Sequence, residues 1–261
     1  MKVALIGATG KTGGWVLAGC LARGWEVRAL VRNREKLSDY ACKITIVTGN
    51  DCNQEDLGSL LDLEGEGGVD VVISTIGSPN KTTLVVQKAA EALVSALEGA
   101  AADKQQQQIP RIVWMTSTGI NEATDQAKMY YPLFGKTPSK YNMFGYSLFG
   151  WFQYKLLIPF VIGQGFWDDM GYSEDLIRAA SGSISKKWVL VRPANMWPIS
   201  EHPTFSEAWR NEGGDTLKYI LAKADDPPVG KWICRRAIAA ALLDLVEDPS
   251  HDGTAVSLFQ G

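Results

Sequence analysis

Short apolar runs, each closed by glycine or a polar residue, recur along the chain. "KVALIG" (Lys2–Gly7) has the composition of a buried parallel strand. "EVRALVR" (Glu26–Arg32), "ITIV" (Ile44–Val47), "VDVVIST" (Val69–Thr75), "RIVWMTS" (Arg111–Ser117) and "KWVLVRP" (Lys187–Pro193) predict five more strands. "AVSLF" (Ala255–Phe259) predicts a seventh, at the sheet edge. Helical periodicity fills the intervals. Thr12–Arg23 carries Val16, Leu17, Cys20 and Leu21 on one face, and Gly24 stops it. Gln54–Leu63, Thr82–Leu97, Tyr172–Ala180 and Arg236–Glu247 predict further helices. Alternating strands and helices predict an α/β fold, a doubly wound parallel sheet forming one domain over residues 1–261. Right-handed crossovers then put ligand at the carboxyl ends of the strands, near the switch between the first and the fourth.

Two segments depart from this rhythm. "ADKQQQQIP" (Ala102–Pro110) reads as a solvated polar loop. Tyr130–Tyr172 holds 14 of the 25 aromatic residues, so residues 119–172 form an aromatic-rich helical insertion after the fifth strand. Its most apolar part, Met143–Trp167, carries only one charge, Lys155, and is long enough to span a bilayer. It also contains Gln153, Gln164, Pro159 and four glycines, and inserting it would break the sheet. It is expected instead to form a lid over an apolar substrate, a dimer face or a surface resting on a membrane. Core packing would use up many of these aromatics. A monomer and a homodimer both fit.

Charge and composition narrow the function. The net charge is −3 with no basic stripe, which argues against nucleic acid as a partner. Four scattered cysteines without a CxxC predict neither a disulfide scaffold nor a zinc site, and His202 and His251 are too few for a histidine-rich metal centre. With the first strand starting almost at Met1, a cytoplasmic location is expected, or an organelle after removal of a transit peptide.

"GATGKTGG" (Gly7–Gly14) looks at first like the end of a triphosphate-binding loop, since Lys11 and Thr12 follow Gly10. Such a loop needs a glycine five positions before Gly10; that position is Leu5, inside the strand. A dinucleotide-binding turn fits in register. Gly7 ends the strand, Gly10 leaves room for a pyrophosphate, and Gly13 lets the helix approach the strand. A structural turn without ligand is the alternative. The second strand ends not on an acid but on Arg32, which predicts a 2′-phosphate and therefore NADP. Arg34 and Lys36 read equally well as surface charges.

"GATGKTGG", "LVRNREKL", "VVISTIGS", "VWMTSTG" and "WVLVRPANM" resemble, in order, the landmarks of atypical short-chain dehydrogenase/reductases. The nearest type is the NmrA-like, NAD(P)H-binding group that includes the small flavin reductase/biliverdin reductase. The resemblance covers nearly the whole chain, through "KWICRRAIAAALLDLVEDP", and implies a Rossmann-type sheet. It also implies roles. Gly7, Thr9, Gly10, Lys11, Thr12 and Gly13 would line the pyrophosphate, and Arg32 would meet the 2′-phosphate. Asn50 would replace an aspartate near adenine. Thr75, Ile76 and Gly77 would pass beside adenine and ribose. Thr116, Ser117, Pro193, Ala194 and Asn195 would face the nicotinamide.

The resemblance weakens at the acid–base residues. The Tyr-xxx-Lys pair of classical members is expected to be absent; the nearest imitation is Trp151-xxx-Lys155, and indole cannot serve as the acid. A lysine of the NmrA-like group gives way near Met170, ahead of Glu174. Asn195 stands where the flavin-reductase type has histidine, whereas Ser117 matches its serine. Ser117 is a candidate catalytic residue or merely a strand-end cap. Tyr172, with Tyr154 and Lys155, is a candidate proton donor or packing. The expected function is an NADPH-dependent oxidoreductase acting on a hydrophobic or aromatic acceptor such as a flavin, quinone or enone, for which solvent can supply the proton. A redox-sensing regulator without turnover and a non-redox isomerase are the alternatives.

Overall fold

The computed structural model describes residues 1–62, 68–77, 84–102, 109–117, 164–182, 186–196, 217–223 and 232–261, and all that follows concerns these. The strands are β1 (Lys2–Ile6), β2 (Glu26–Val31), β3 (Thr45–Thr48), β4 (Val71–Ser74), β5 (Arg111–Met115), β6 (Trp188–Pro193), β7 (Asn195–Met196), β8 (Tyr219–Lys223), β9 (Trp232–Ile233) and β10 (Thr254–Gln260). The helices are α1 (Lys11–Ala22), α2 (Gln54–Leu61), α3 (Val85–Ala102), α4 (Gln164–Ala179) and α5 (Arg235–Glu247).

Eight strands form one sheet in the order β3-β2-β1-β4-β5-β6-β10-β8, and β7 pairs with β9 in a small parallel pair. All neighbours in the large sheet are parallel except β10 and β8. The order reverses between β1 and β4, the predicted switch point. The expectation that Ala255–Phe259 lies at the edge is corrected. β10 sits between β6 and the antiparallel β8, and β8 is the edge. Its sequence, "YILAK", has no clean alternation, and its pairing with β10 places it in the sheet.

Alternation along the strands sorts the core into two layers. Val3, Leu5, Val113, Met115, Val189 and Val191 face α1 and α5. Ala4, Ile6, Ile112, Trp114, Trp188 and Leu190 face α2, α3 and α4. Small residues let the helices approach: Gly13, Gly14, Ala18 and Gly19 in α1 and Ala237, Ala239, Ala240 and Ala241 in α5 are all buried.

Polar groups at the element ends are matched. Asn53 caps α2 by accepting from the Asp56 N–H at 2.9 Å. At the other end of α2, Arg28 donates to the carbonyls of Ser59 and Leu60 at 2.8 and 2.9 Å. Helix α3 is capped from another element. The buried Asp169 of α4 accepts from the N–H groups of Val86 and Gln87 at 3.2 and 2.7 Å. Helix α4 begins eight residues before its predicted start, inside the aromatic-rich segment. The rest of that segment before α4, residues 119–163, lies outside the described residues, as do 103–108 of the polar loop.

Candidate functional site

The carboxyl ends of β1, β2, β4, β5 and β6 bring together the predicted positions. Gly7 follows β1 with φ +87°, a conformation that favours glycine. A Cβ there would lie 2.8 Å from Thr75 Oγ1. At Gly13 the constraint is harder, because a Cβ would meet Gly7 O at 2.0 Å and Thr75 Oγ1 at 2.7 Å. Strand, turn and helix are therefore in backbone contact at Gly13. Within the turn the Gly10 N–H donates to Gly7 O at 2.8 Å. Thr75 is buried, with Oγ1 at 3.2 Å from Ile6 O and 3.4 Å from Gly7 O. Ile76 is buried and Gly77 exposed at the same sheet end.

Gly10 is the N-cap of α1 and, as glycine, supplies no side-chain acceptor to that helix. The first-turn N–H groups and the positive end of the helix dipole thus lie at the glycine turn, the backbone arrangement that suits an anion. Thr9 and Lys11 are exposed beside it and Thr12 is buried. Together these features fit the pyrophosphate of a dinucleotide. Arg32, directly after β2, is exposed, as are Arg34 and Lys36. Asn33 accepts from the Glu35 N–H at 2.9 Å, which fixes the turn that carries them. At the end of β3, Asn50 is exposed, its N–H donates to Asp56, and its side-chain oxygen accepts from the Cys52 N–H at 3.1 Å. The Asn50 carbonyl thus has a local partner already.

The β5–β6 side departs most from expectation. Thr116 is buried, and its hydroxyl donates to Glu174 Oε1 at 2.7 Å. Its hydroxyl is thus engaged with α4. Ser117 is half-buried at the end of the same strand. Pro193 and Ala194 are buried at the end of β6, and the Ala194 N–H donates to Leu258 O at 2.9 Å. The backbone of Asn195 pairs with Trp232, while its side chain is outside the described set. Tyr172 lies on α4 and is 55% exposed. Met170, where the resemblance expected a lysine, is buried core. Tyr154 and Lys155 fall outside the described residues.

Sequence reasoning missed the buried carboxylate between these strands. Glu174 accepts from Arg192 Nε at 3.0 Å and Nη2 at 2.5 Å, with Arg178 Nη2 at 3.5 Å. Arg192 and Glu174 are both almost fully buried. Beside them the Trp114 indole N–H donates to Ser173 Oγ at 3.1 Å, and Ser173 donates to Met170 O at 2.7 Å. The signal was an arginine at the end of an otherwise apolar strand, "VLVRP", with an acid on the preceding helix.

One Tyr-xxx-Lys spacing does occur, at Tyr219 and Lys223, correcting the expectation that the chain has none. It lies on β8. In a strand, residues four apart are roughly 13 Å from each other, unlike the adjacent pair on a helix. The Tyr219 hydroxyl donates to Asp244 Oδ2 at 2.6 Å. Burial, then the Asp244 hydrogen bond and charge, push its pKa above the ordinary range, away from that of a ready proton donor. Burial, with Asp39 nearby, likewise raises Tyr40 to about 12. Because the folded state holds both protons more tightly, their contribution is intact below the unfolded tyrosine value of about 10. It declines as pH rises from there towards the folded values. Urea midpoints should therefore fall above pH 10, and less steeply in a Tyr40→Phe/Tyr219→Phe variant.

A cleft of about 360 Å³ among Lys2, Glu26, Arg28, Lys43 and Asp62 opens at the amino ends of β1–β3, the wrong edge for this site. Among the described residues no cluster suits a metal ion, and no helix is long and apolar enough to cross a membrane.

The NAD(P)H-binding family model matches residues 7–249. The chain belongs to the NAD(P)H-binding family. The matched stretch begins at Gly7, the first residue of the glycine turn. Solved structures of similar fold include an anaerobilin reductase from Escherichia coli O157:H7, with 18% identity, TM-score 0.67, and 100% and 97% of the two chains covered. A proposed NADH-flavin reductase from Streptococcus pneumoniae has 21% identity, TM-score 0.64, and both chains fully covered. A proposed NAD-dependent epimerase/dehydratase from Bacillus halodurans has 17% identity, TM-score 0.62, and 100% and 94% covered. At these identities the shared property is the Rossmann-type fold, and it accompanies more than one kind of reaction.

Proposed function

We propose that this NAD(P)H-binding protein is an NADPH-dependent oxidoreductase that passes hydride to a hydrophobic or aromatic acceptor of flavin, quinone or enone type. The observation that carries the cofactor choice is the end of β2. Arg32, followed by Arg34, stands exposed where a carboxylate would otherwise hold a ribose 2′-hydroxyl. A guanidinium there favours a 2′-phosphate. The cofactor supplies the hydride; the chain binds, orients and excludes water. The α1 N-terminus and the Gly7–Gly13 turn would hold the pyrophosphate. Ser117, at the end of β5, would hydrogen-bond the acceptor carbonyl or the carboxamide, with Asn195 after β6 on the same side. Tyr172 is the remaining candidate proton donor among the described residues, and its exposure suits a role only with the acceptor laid against α4.

The acceptor class rests on the sequence. Its one Tyr-xxx-Lys spacing lies on β8, where the Tyr219 hydroxyl donates to Asp244, so it does not form the acid–base pair that reduction of a simple ketone would use. A flavin or quinone takes its proton from solvent. The names of the anaerobilin reductase and the proposed flavin reductase of similar fold agree with a flat, conjugated acceptor.

Calorimetric titration with NADPH, NADP⁺, NADH and NAD⁺ tests the cofactor choice. The phosphorylated pair should bind at least about tenfold tighter, roughly 1.4 kcal/mol, and Arg32→Ala should erase the difference. Equal affinity for both pairs would remove NADP from the proposal. NADPH oxidation against flavins, quinones and enones tests the reaction. Failure across the panel would favour a sensor that binds nucleotide without turnover.

A further inference from the structure

We infer that Glu174 is a positioning residue for the nicotinamide half of the site, acting through Thr116 and Arg192; the inference rests on the proposed function. One carboxylate joins three elements. It belongs to α4, accepts the Thr116 hydroxyl from the end of β5 at 2.7 Å, and pairs in a bidentate fashion with the Nε–Nη2 edge of Arg192 of β6. Thr116 immediately precedes Ser117, and Arg192 immediately precedes Pro193. The Thr116 N–H also donates to Val191 O at 2.8 Å, so the two strand ends share a backbone bond as well.

Stability alone is a weak reason for this arrangement. A buried ion pair stabilises little relative to apolar packing of the same volume, because two charges must lose their water. What it supplies is direction. Two guanidinium donors and one hydroxyl converge on a planar group, and a shift of either strand end by one residue would leave a buried charge without its partner. The same helix is fastened nearby through Ser173 to Trp114 and through Asp169 to the start of α3. Helix α4 is thus a fixed post, and Glu174 relays its position to residues 116–117 and 192–194. Neither Glu174 nor Thr116 is placed against the nucleotide itself.

The test uses NADPH and 2′-phospho-ADP-ribose, its counterpart without the nicotinamide, on the full chain. Thr116→Val keeps shape and removes only the hydroxyl; Thr116→Ser restores it. Thr116→Val should leave 2′-phospho-ADP-ribose affinity within about twofold of the parent while NADPH weakens at least about fivefold. The fluorescence of bound NADPH should move towards that of free nucleotide, and Thr116→Ser should recover both properties. Glu174→Gln, which retains an acceptor but loses the charge, should show the same split. Equal weakening of both ligands, or no change in either, would overturn the inference while leaving the proposed function standing. If the parent protein binds neither ligand, the proposed function falls and the inference with it.

Discussion

Glu174→Ala should destabilise the protein by roughly 3–5 kcal/mol, because it leaves the Arg192 guanidinium buried without its counter-charge. Against a typical stability of about 5–15 kcal/mol, that is roughly a fifth of the total or more. Equilibrium urea unfolding, at constant slope, would register it as a lower midpoint. Nearby groups offer little compensation. Arg178 is a second cation on the same carboxylate, so it loses a partner too. The Thr116 hydroxyl loses its acceptor in a buried position. Replacing both partners with apolar side chains, Glu174→Leu with Arg192→Met, should recover most of the loss, since no charge is then stranded. The comparison separates stability from positioning. The double variant should fold well yet still weaken NADPH relative to 2′-phospho-ADP-ribose. A loss below about 1 kcal/mol in Glu174→Ala would mean that water or a neighbour satisfies Arg192, and the directional argument would lose its basis.

How much of this was readable beforehand depended on the range of the interaction. The glycine turn was legible because strand end, turn and helix start are consecutive, and the spacing of Gly7, Gly10 and Gly13 encodes their geometry. The position of Arg32 directly after β2 was legible for the same reason, since the end of β2 is marked by its own apolar run. The layers were legible from alternation in β1, β5 and β6. The Glu174–Arg192 pair was not, because its members are 18 residues apart and meet only after α4 docks on β6. The Thr116–Glu174 bond was hidden for the same reason: the sequence places Thr116 beside Ser117, and only α4 supplies the acceptor for its hydroxyl. Strand β8 was missed because its short pattern "YILAK" is ambiguous between periods and is fixed by antiparallel pairing to β10. Its Tyr219 and Lys223 were overlooked with it; their spacing carries chemistry on a helix and none on a strand.

The largest effect on nucleotide binding is expected at Gly13. Gly13→Ala should abolish measurable NADPH binding, a loss of more than about 100-fold or roughly 2.7 kcal/mol, and should also lower the urea midpoint. A methyl group at this position would sit 2.0 Å from Gly7 O, far inside contact distance, and both neighbours are constrained. Gly7 O is backbone, tied to the Gly10 N–H at 2.8 Å, and Thr75 Oγ1 is held on the other side by its approach to Ile6 O. The helix must therefore retreat from β1 or the turn must open. Either movement displaces the N–H groups of the first turn from the pyrophosphate position. Gly24 provides the control. It has φ +71° at the end of α1, but a Cβ there would touch nothing within 4 Å. Gly24→Ala should cost only the backbone strain, about 1 kcal/mol, and leave NADPH affinity unchanged. If Gly13→Ala behaved like Gly24→Ala, with mild destabilisation and normal binding, the close approach of α1 to β1 would not be what forms the nucleotide site. If it lost stability but bound NADPH normally once folded, the turn would be structural, and the dinucleotide would have to be held elsewhere along the strand ends.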